Sequence, residues 1–365
     1  MDIVAREEPF LLGWTSPIDR FRGAGIGSDL ILKVVGWILC ATLAGGAWAW
    51  PHSASAEGVG PFPVRNFQPV QMLVLGMPGD RATVLSPGVR EVRIELAGTA
   101  AIFNELTPQS SAVMKFETLR SGLFLRYGAT DRFEVAMEVP VLYRYQGVLN
   151  GAITATERAT TGLSGARRDL RDLGYAYMVS PGGRTAFHGG QDQVGVGDLS
   201  IASKYQFVKQ TEALPAISVR AAVKVPTGDE SRAFGSGHFD VGVGLALEKT
   251  IFARWVAYAN VNGVFPGGPI GGFQPQPVLS ALAAVEYLWS ERLSVTIQCD
   301  YYSSAFHGTG LKVLDRGVTE VVLGGSYRLS PYLLWQVYGV ENSDLITGGS
   351  ADLTVATVFI YRFEP

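Results

Sequence analysis

The stretch RFEVAMEVPVLYRY, residues 132–145, decides the fold of this chain. From Phe133 to Tyr145, an apolar residue stands at every second position. Charged residues take positions between them: Arg132, Glu134, Glu138 and Arg144. Successive side chains of a strand point to opposite sides, so this run predicts a strand with one apolar and one charged face. An apolar face ending in aromatics, opposite a face with charges of both signs, is typical of a transmembrane β-barrel with its apolar side outward.

This alternation recurs twelve times between Arg90 and Phe363. The predicted strands are residues 90–103, 112–127, 132–145, 196–208, 215–226, 238–249, 253–265, 276–289, 291–303, 317–329, 331–341 and 351–363. Short and long connections alternate, as they do in a barrel with tight periplasmic turns and larger outer loops. We therefore predict an all-β fold, a transmembrane antiparallel up-and-down β-barrel of about 12 strands formed by residues 90–365.

Composition excludes several other classes of protein. The chain has 365 residues, of which 47% are hydrophobic and 17% are charged, and its formal net charge is −3. A nucleic-acid-binding protein usually carries a basic patch, so no nucleic-acid partner is expected. Cys40 and Cys299 are too few for a disulfide framework.

Residues 1–56 are predicted to be a leader and a cleaved signal peptide. Lys33 precedes an apolar run over residues 34–50, and Ala54 and Ala56 supply the small-x-small cleavage pattern. We expect cleavage after Ala56. The alternative is a retained anchor helix, for which the apolar run is short.

Two further segments lie outside the strand pattern. Residues 57–89 contain five prolines, too many for a central strand, and are either a periplasmic tail or a piece that enters the lumen. Residues 146–195 form a connection of about fifty residues, far longer than an ordinary loop. Within it, residues 166–173 have the spacing of a short helix. Such a loop either folds inward to narrow the pore or faces outward towards partners.

The same register predicts a polar inner face. The residues predicted to line the lumen are Glu91, Arg93, Glu95, Arg120, Arg126, Glu134, Glu138, Arg144, Lys204, Arg220, Lys224, Asp240, Glu248, Arg254, Tyr258, Glu286, Arg292, Asp300, Tyr302, Glu320, Arg328, Tyr338, Asp352 and Arg362. Arg or Lys at the lipid midplane costs roughly 2–4 kcal/mol, so this face points away from lipid. The charges either fill a narrow lumen as a satisfied network or line a path for a small polar or amphipathic solute.

An enzyme is the main competing class. A Ser–His–acid site needs a histidine within hydrogen-bond reach of the serine, and the candidates His188, His238 and His307 fall in loops or at a strand start. No Cys/His cluster has the spacing of a zinc site. We therefore expect no catalytic residues, no cofactor and no metal.

Five segments resemble a known family. They are GPFPVRNFQPV (60–70), YGATDRFEVAMEVPV (127–141), VGVGDLSIASKYQF (194–207), KVPTGD (224–229) and GSGHFDVGVGLAL (235–247). Together they resemble a proteobacterial family of outer-membrane barrels of unknown function. That family is distantly similar to transporter-like barrels of aromatic-compound (phenol meta-pathway) degradation operons. The resemblance implies a bacterial outer-membrane location and supplies no substrate or catalytic residues.

These patterns predict a porin-like outer-membrane channel for small polar or amphipathic solutes, gated by residues 146–195 or 57–89. The alternatives are a closed structural or adhesive barrel and an outer-membrane hydrolase. The expected partners are outer-membrane lipid and lipopolysaccharide, the barrel-assembly machinery and a small-molecule solute.

Overall fold

The computed structural model describes residues 58–160, 162–342 and 351–365. The predicted signal peptide and its cleavage after Ala56 lie outside these residues. The strands are β1 Arg90–Leu106, β2 Ser111–Gly128, β3 Phe133–Tyr145, β4 Ala176–Ser180, β5 Phe187–His188, β6 Gln193–Val196, β7 Leu199–Val208, β8 Ala216–Val225, β9 Asp240–Phe252, β10 Trp255–Pro266, β11 Val278–Leu288, β12 Leu293–Tyr302, β13 Val318–Arg328, β14 Leu333–Asn342 and β15 Leu353–Phe363.

Twelve of these strands close into a barrel. Going round the wall, β1 is followed by β2, β3 and then β7 to β15 in sequence order. Closure comes from β15, which runs antiparallel to β1 and places Phe363 opposite Arg90. The prediction of a twelve-stranded antiparallel barrel is confirmed, and each predicted strand has an observed counterpart. Boundary differences reach three residues, at the end of β1, the start of β7 and the end of β9. Strands β1 and β2 extend towards each other and leave only residues 107–110 as a turn.

Exposure alternates along the strands as the period of two requires. In β9, Val241, Val243 and Leu245 are exposed, whereas Ala246 and Glu248 are buried. Trp255 and Trp335 are also exposed on this outer face. The wall therefore has an apolar outer surface and a polar inner surface.

The long connections carry the remaining elements. The helices are α1 Leu149–Ala159, α2 Gly165–Asp169 and α3 Lys312–Asp315, with single 3₁₀ turns at Gln71–Leu73, Pro181–Gly183 and Glu230–Arg232. The helix predicted over residues 166–173 corresponds to α2. In the long loop, β4 pairs with β2 at Ser111 to Lys115 and so continues the wall above the rim. Among the described residues, no helix is both long and apolar enough to cross a membrane.

Strands β6 and β7 are one wall strand interrupted at residues 197–198. Both pair with β3, and the Gly197 N–H donates to the Pro140 carbonyl between them at 2.9 Å. The interruption turns the Asp198 carboxylate towards the neighbouring loop, where it accepts from the N–H groups of Gly228 at 2.9 Å and Ser236 at 3.0 Å. This break therefore ties the loop over residues 226–239 to the wall.

Candidate functional site

Residues 58–89, called here the lumen segment, lie against the inner faces of strands from most of the barrel. The segment forms no strand, because its prolines prevent a regular ladder. Its buried backbone N–H groups still need acceptors, and side chains of the wall supply them. These hydrogen bonds run from Val59 to Glu286, Phe62 to Gln298, Leu75 to Asp240 and Leu85 to Glu134, at 2.8–2.9 Å. The segment thus occupies the lumen.

Ion pairs with the wall anchor the same segment at three of its residues. The Arg65 guanidinium lies 2.9 Å from Glu138, and the Arg81 guanidinium lies 2.6 Å from Glu248. Asp80 accepts from the Lys204 ammonium at 3.0 Å. The wall partners Glu138, Glu248 and Lys204 belong to β3, β9 and β7 and are buried. A charge removed from water needs a close partner, so each pair favours the seated position of the segment.

The wall also pairs charges within itself. Arg120 contacts both Glu95, at 2.6 Å, and Glu138. Arg126 contacts Glu91 at 2.9 Å and Glu134 at 2.5 Å. These carboxylates are buried, and each has a guanidinium within ion-pair distance.

A third wall pair involves Lys224, which lies 2.8 Å from Asp240 and 3.2 Å from Asp198. Lys224 also donates to the Ser236 hydroxyl. It thereby links the wall, the lumen segment (through the Leu73 carbonyl) and the 226–239 loop.

One side of the lumen is filled by apolar packing. Phe62 of the segment is fully buried and stacks on Tyr338 of β14 with ring centroids 4.8 Å apart. Val64 and Phe67 join the same buried cluster, which includes Val322 of β13. Apolar packing therefore holds the segment on this side of the lumen, and ion pairs hold it elsewhere.

A second apolar cluster lies at the loop end of the barrel. The turn of the lumen segment contributes Val70 and Leu73, which belong to one buried cluster with Phe116, Phe306 and Leu314. The Gln71 amide, beside them, donates to the Ser304 hydroxyl at 3.0 Å. Residues from several long connections thus meet over the segment.

The long loop is fastened to the rim by Arg167 of α2. This guanidinium pairs with Glu157 of α1 at 2.9 Å and with Asp352 beside β15. Nearby, burial raises the pKa of Tyr175 to about 12, and its hydroxyl donates to the Gly190 carbonyl at 2.8 Å. Within the described part of this loop, α1 and α2 are therefore held at the rim.

Most of the residues predicted for the inner face are buried. They are Glu91, Glu95, Arg120, Glu134, Glu138, Arg144, Lys204, Arg220, Lys224, Asp240, Glu248, Tyr258, Glu286, Asp300, Glu320 and Tyr338. Others are only partly buried: Arg93, Arg126, Tyr302, Arg328, Asp352 and Arg362. Arg144 donates to the Arg232 and Ala233 carbonyls. It therefore anchors the 226–239 loop and does not line a path for a solute.

Two of these predictions are wrong. Arg254 and Arg292 are exposed and lie in turns, not on the inner face. The register shifts between Trp255 and Val256 at the start of β10, which leaves Arg254 in the turn. Strand β12 begins only at Leu293, one residue after Arg292.

Sequence reasoning missed Asp198 and the partners that the lumen segment itself supplies, Arg65, Asp80 and Arg81. A buried carboxylate at a strand break follows no alternation, so the period of two could not reveal Asp198. The Gly197-Asp198 pair inside an otherwise regular run was the available signal. In the part of the chain that the structure describes, no group of His, Cys, Asp or Glu side chains is arranged to hold a metal ion.

Comparisons with known proteins agree with this architecture. The family model described as "Protein of unknown function (DUF3187)" matches residues 38–363. No curated protein matches the chain. The solved structure of a COG4313 outer membrane channel from Pseudomonas putida F1 is 15% identical, with a TM-score of 0.54, and the match covers 79% of this chain and 99% of that one. At this identity the likeness shows a shared fold.

Two other structures are less similar. KdgM porin is 7% identical with a TM-score of 0.41, and the match covers 75% of this chain and 99% of that chain. The toluene transporter TodX of P. putida is 9% identical with a TM-score of 0.37, covering 77% and 91%. Both are too distant for their activities to bear on this chain.

Proposed function

We propose that this chain, which belongs to the DUF3187 family, is an outer-membrane channel for small polar or amphipathic solutes, closed at rest by the lumen segment. One observation carries the proposal: the wall is a complete ring of hydrogen-bonded strands, and the segment inside it adds no strand. Movement of residues 58–87 of the segment would break contacts with wall side chains but no ladder hydrogen bond of the wall. The barrel can therefore stay intact while its lumen opens.

The apolar outer face supports a location in the outer membrane. In this proposal the barrel-assembly machinery inserts the chain, and outer-membrane lipid and lipopolysaccharide contact the exposed side chains. Fractionation of cell envelopes tests the location, and recovery of the mature protein in the soluble fraction would refute it.

A single outward substitution tests which face meets lipid. Leu245→Arg is expected to lower the free energy of unfolding from lipid vesicles by roughly 2–4 kcal/mol, the cost of a cation near the bilayer midplane. Leu245 is 45% exposed at present. Ser231→Arg, in an exposed loop, is the matched control and should change the stability little. Equal stabilities of the two variants would contradict a lipid-facing position for Leu245.

Conductance tests the channel itself. In planar bilayers the full chain is expected to show rare, brief current steps. A variant with Arg65→Gln, Asp80→Asn and Arg81→Gln keeps the size of the lumen segment but removes the three charges that form its ion pairs with the wall. Each ion pair of this kind favours the seated state by more than about 1.4 kcal/mol. Without these pairs, the variant should open at least about tenfold more often.

Asp229→Asn with Arg232→Gln is the control for this experiment, because that ion pair lies in a loop and is exposed. The control should behave as the unaltered protein does. Absence of current from the triple variant, when its barrel is shown to be folded in the bilayer, would refute the channel.

The second candidate is a closed structural or adhesive barrel. The apolar cluster at the loop end favours it, because burying Val70, Leu73 and Phe306 together stabilises the closed state. The same conductance experiment separates the two candidates. We propose no catalytic role.

A further inference from the structure

A cavity remains between the lumen segment and one side of the wall. It has a volume of about 80 Å³ and is bordered by residues 76–80 of the segment and by strands β1, β2, β3, β7 and β8. A cavity needs about 10–15 Å³ of such volume for each water that it holds. The space can therefore hold several water-sized groups, which limits a bound molecule to a short chain while the segment is seated.

The charges that border this cavity are not all paired. Arg126 and Lys204 both contact Glu134, at 2.5 and 3.1 Å. The remaining bordering carboxylates, Asp80 and Glu138, are also engaged with cations. Every carboxylate at the cavity thus already has a cationic partner.

Two bordering cations, Arg93 and Arg220, have no carboxylate within ion-pair distance among the described residues. The Arg220 guanidinium donates to the Pro78 carbonyl at 2.8 Å. The Arg93 guanidinium lies over the Phe124 ring, 3.7 Å from its centroid, and its buried Nε has no hydrogen-bond partner. A buried donor without an acceptor is costly, so Arg93 is suited to receive an anion.

Apart from Ser200 and Ser203, the uncharged side chains of the lining are apolar. Met77 of the segment, Phe124 of β2 and the alanines Ala202 and Ala222 border the same space. Aliphatic and aromatic side chains beside an unpaired guanidinium match a molecule with a carboxylate at one end and an apolar body at the other. Guanidinium groups bind carboxylates with two parallel hydrogen bonds, which fixes the orientation of such a molecule.

We propose that this cavity binds a small amphipathic monocarboxylate, with its carboxylate on Arg93 and its apolar body against Met77 and Ala222. The assignment rests on the proposed function in one respect: the bound molecule would be a solute on its way through the barrel. It narrows the solute class from polar or amphipathic compounds to apolar monocarboxylates. Binding to the cavity needs no current and can be measured by itself.

Calorimetric titration of the full mature chain in a nonionic detergent tests the site, with hexanoate as the probe. One equivalent of hexanoate should bind. Hexanol, which lacks the charge, and acetate, which lacks the apolar body, should each bind at least tenfold more weakly. Arg93→Gln should weaken hexanoate binding by roughly 10–100-fold, the range for loss of a hydrogen bond to a charged group.

Two further variants make the result specific. Ala222→Leu fills the cavity without changing its charge and should also abolish hexanoate binding. Arg232→Gln, in an exposed loop, should leave it unchanged. Arg93→Gln leaves no carboxylate without a cationic partner, so the variant should fold. Heat-modifiable migration in electrophoresis tests whether its barrel has folded.

Failure of hexanoate to bind the folded protein, equal binding by Arg93→Gln, or acetate binding as tightly as hexanoate would each overturn the proposal. The two proposals can fail separately. Hexanoate binding without conductance would refute the channel and keep the site, whereas conductance without hexanoate binding would do the reverse.

Discussion

Replacement of Arg120 by methionine is expected to lower the free energy of unfolding by about 3–5 kcal/mol. Arg120 lies on β2 between the carboxylates of Glu95 and Glu138, and only 3% of its side chain is exposed. Methionine fills a similar volume but leaves Glu95 buried without a cation. An unpaired buried charge costs far more than the loss of the pair itself, which explains the size of the effect.

The measurement is reversible urea unfolding of the full mature chain from lipid vesicles. Arg232→Met is the matched control, because the Arg232–Asp229 pair is exposed and should contribute no more than about 1 kcal/mol. The double variant Arg120→Met, Glu95→Gln should recover part of the loss, since no unpaired carboxylate remains at Glu95. A loss of less than about 1 kcal/mol in the single variant would show that water reaches Glu95.

Phe62→Ala should have an effect of similar size but confined to the lumen segment. The Phe62 side chain is fully buried and stacks on Tyr338. Its removal is expected to cost about 3–5 kcal/mol, from lost burial and from the cavity that remains. Because the wall ladder does not include this segment, we expect the loss to appear as easier release of residues 58–75 rather than as unfolding of the barrel.

Hydrogen exchange resolves the two outcomes. Amides of residues 58–75 should exchange about 100-fold or more faster in Phe62→Ala, while amides of β9 and β10 keep their protection. Phe239→Ala serves as the control, because Phe239 is 58% exposed. Equal acceleration in the segment and in the wall strands would contradict the independent movement on which the proposed channel depends.

The loop pair at Asp229 offers a smaller test, of acid resistance. Hydrogen bonds from Ser231 and Arg232 hold the pKa of Asp229 at about 2. A carboxylate with a lowered pKa stabilises the fold above its unfolded value and loses that contribution as the pH falls through about 2. NMR titration should therefore find the Asp229 carboxylate ionised at pH 3, and protonation near pH 4 would contradict the turn geometry.

Alternation along the chain was enough to predict the wall. Strand β3 was predicted over residues 132–145 and is observed at Phe133–Tyr145, because side-chain direction in a strand depends only on position along that strand. Arg254 and Arg292 were misplaced for the same reason. The alternation of side chains does not reveal a register shift or a late strand start. Residues of turns were therefore counted as residues of the wall.

By itself, the sequence determined the number of wall strands, their order and most of the side chains that face inward. Only the tertiary structure decided what those inward side chains contact. Arg81 and Glu248 stand 167 positions apart and meet because the barrel closes and the lumen segment passes through it. The same closure leaves Arg93 beside a cavity in which every bordering carboxylate is paired with another cation. The alternation of apolar and polar residues along one strand carries no information about partners across the lumen. Those partners depend on the path of the lumen segment, whose sequence does not alternate.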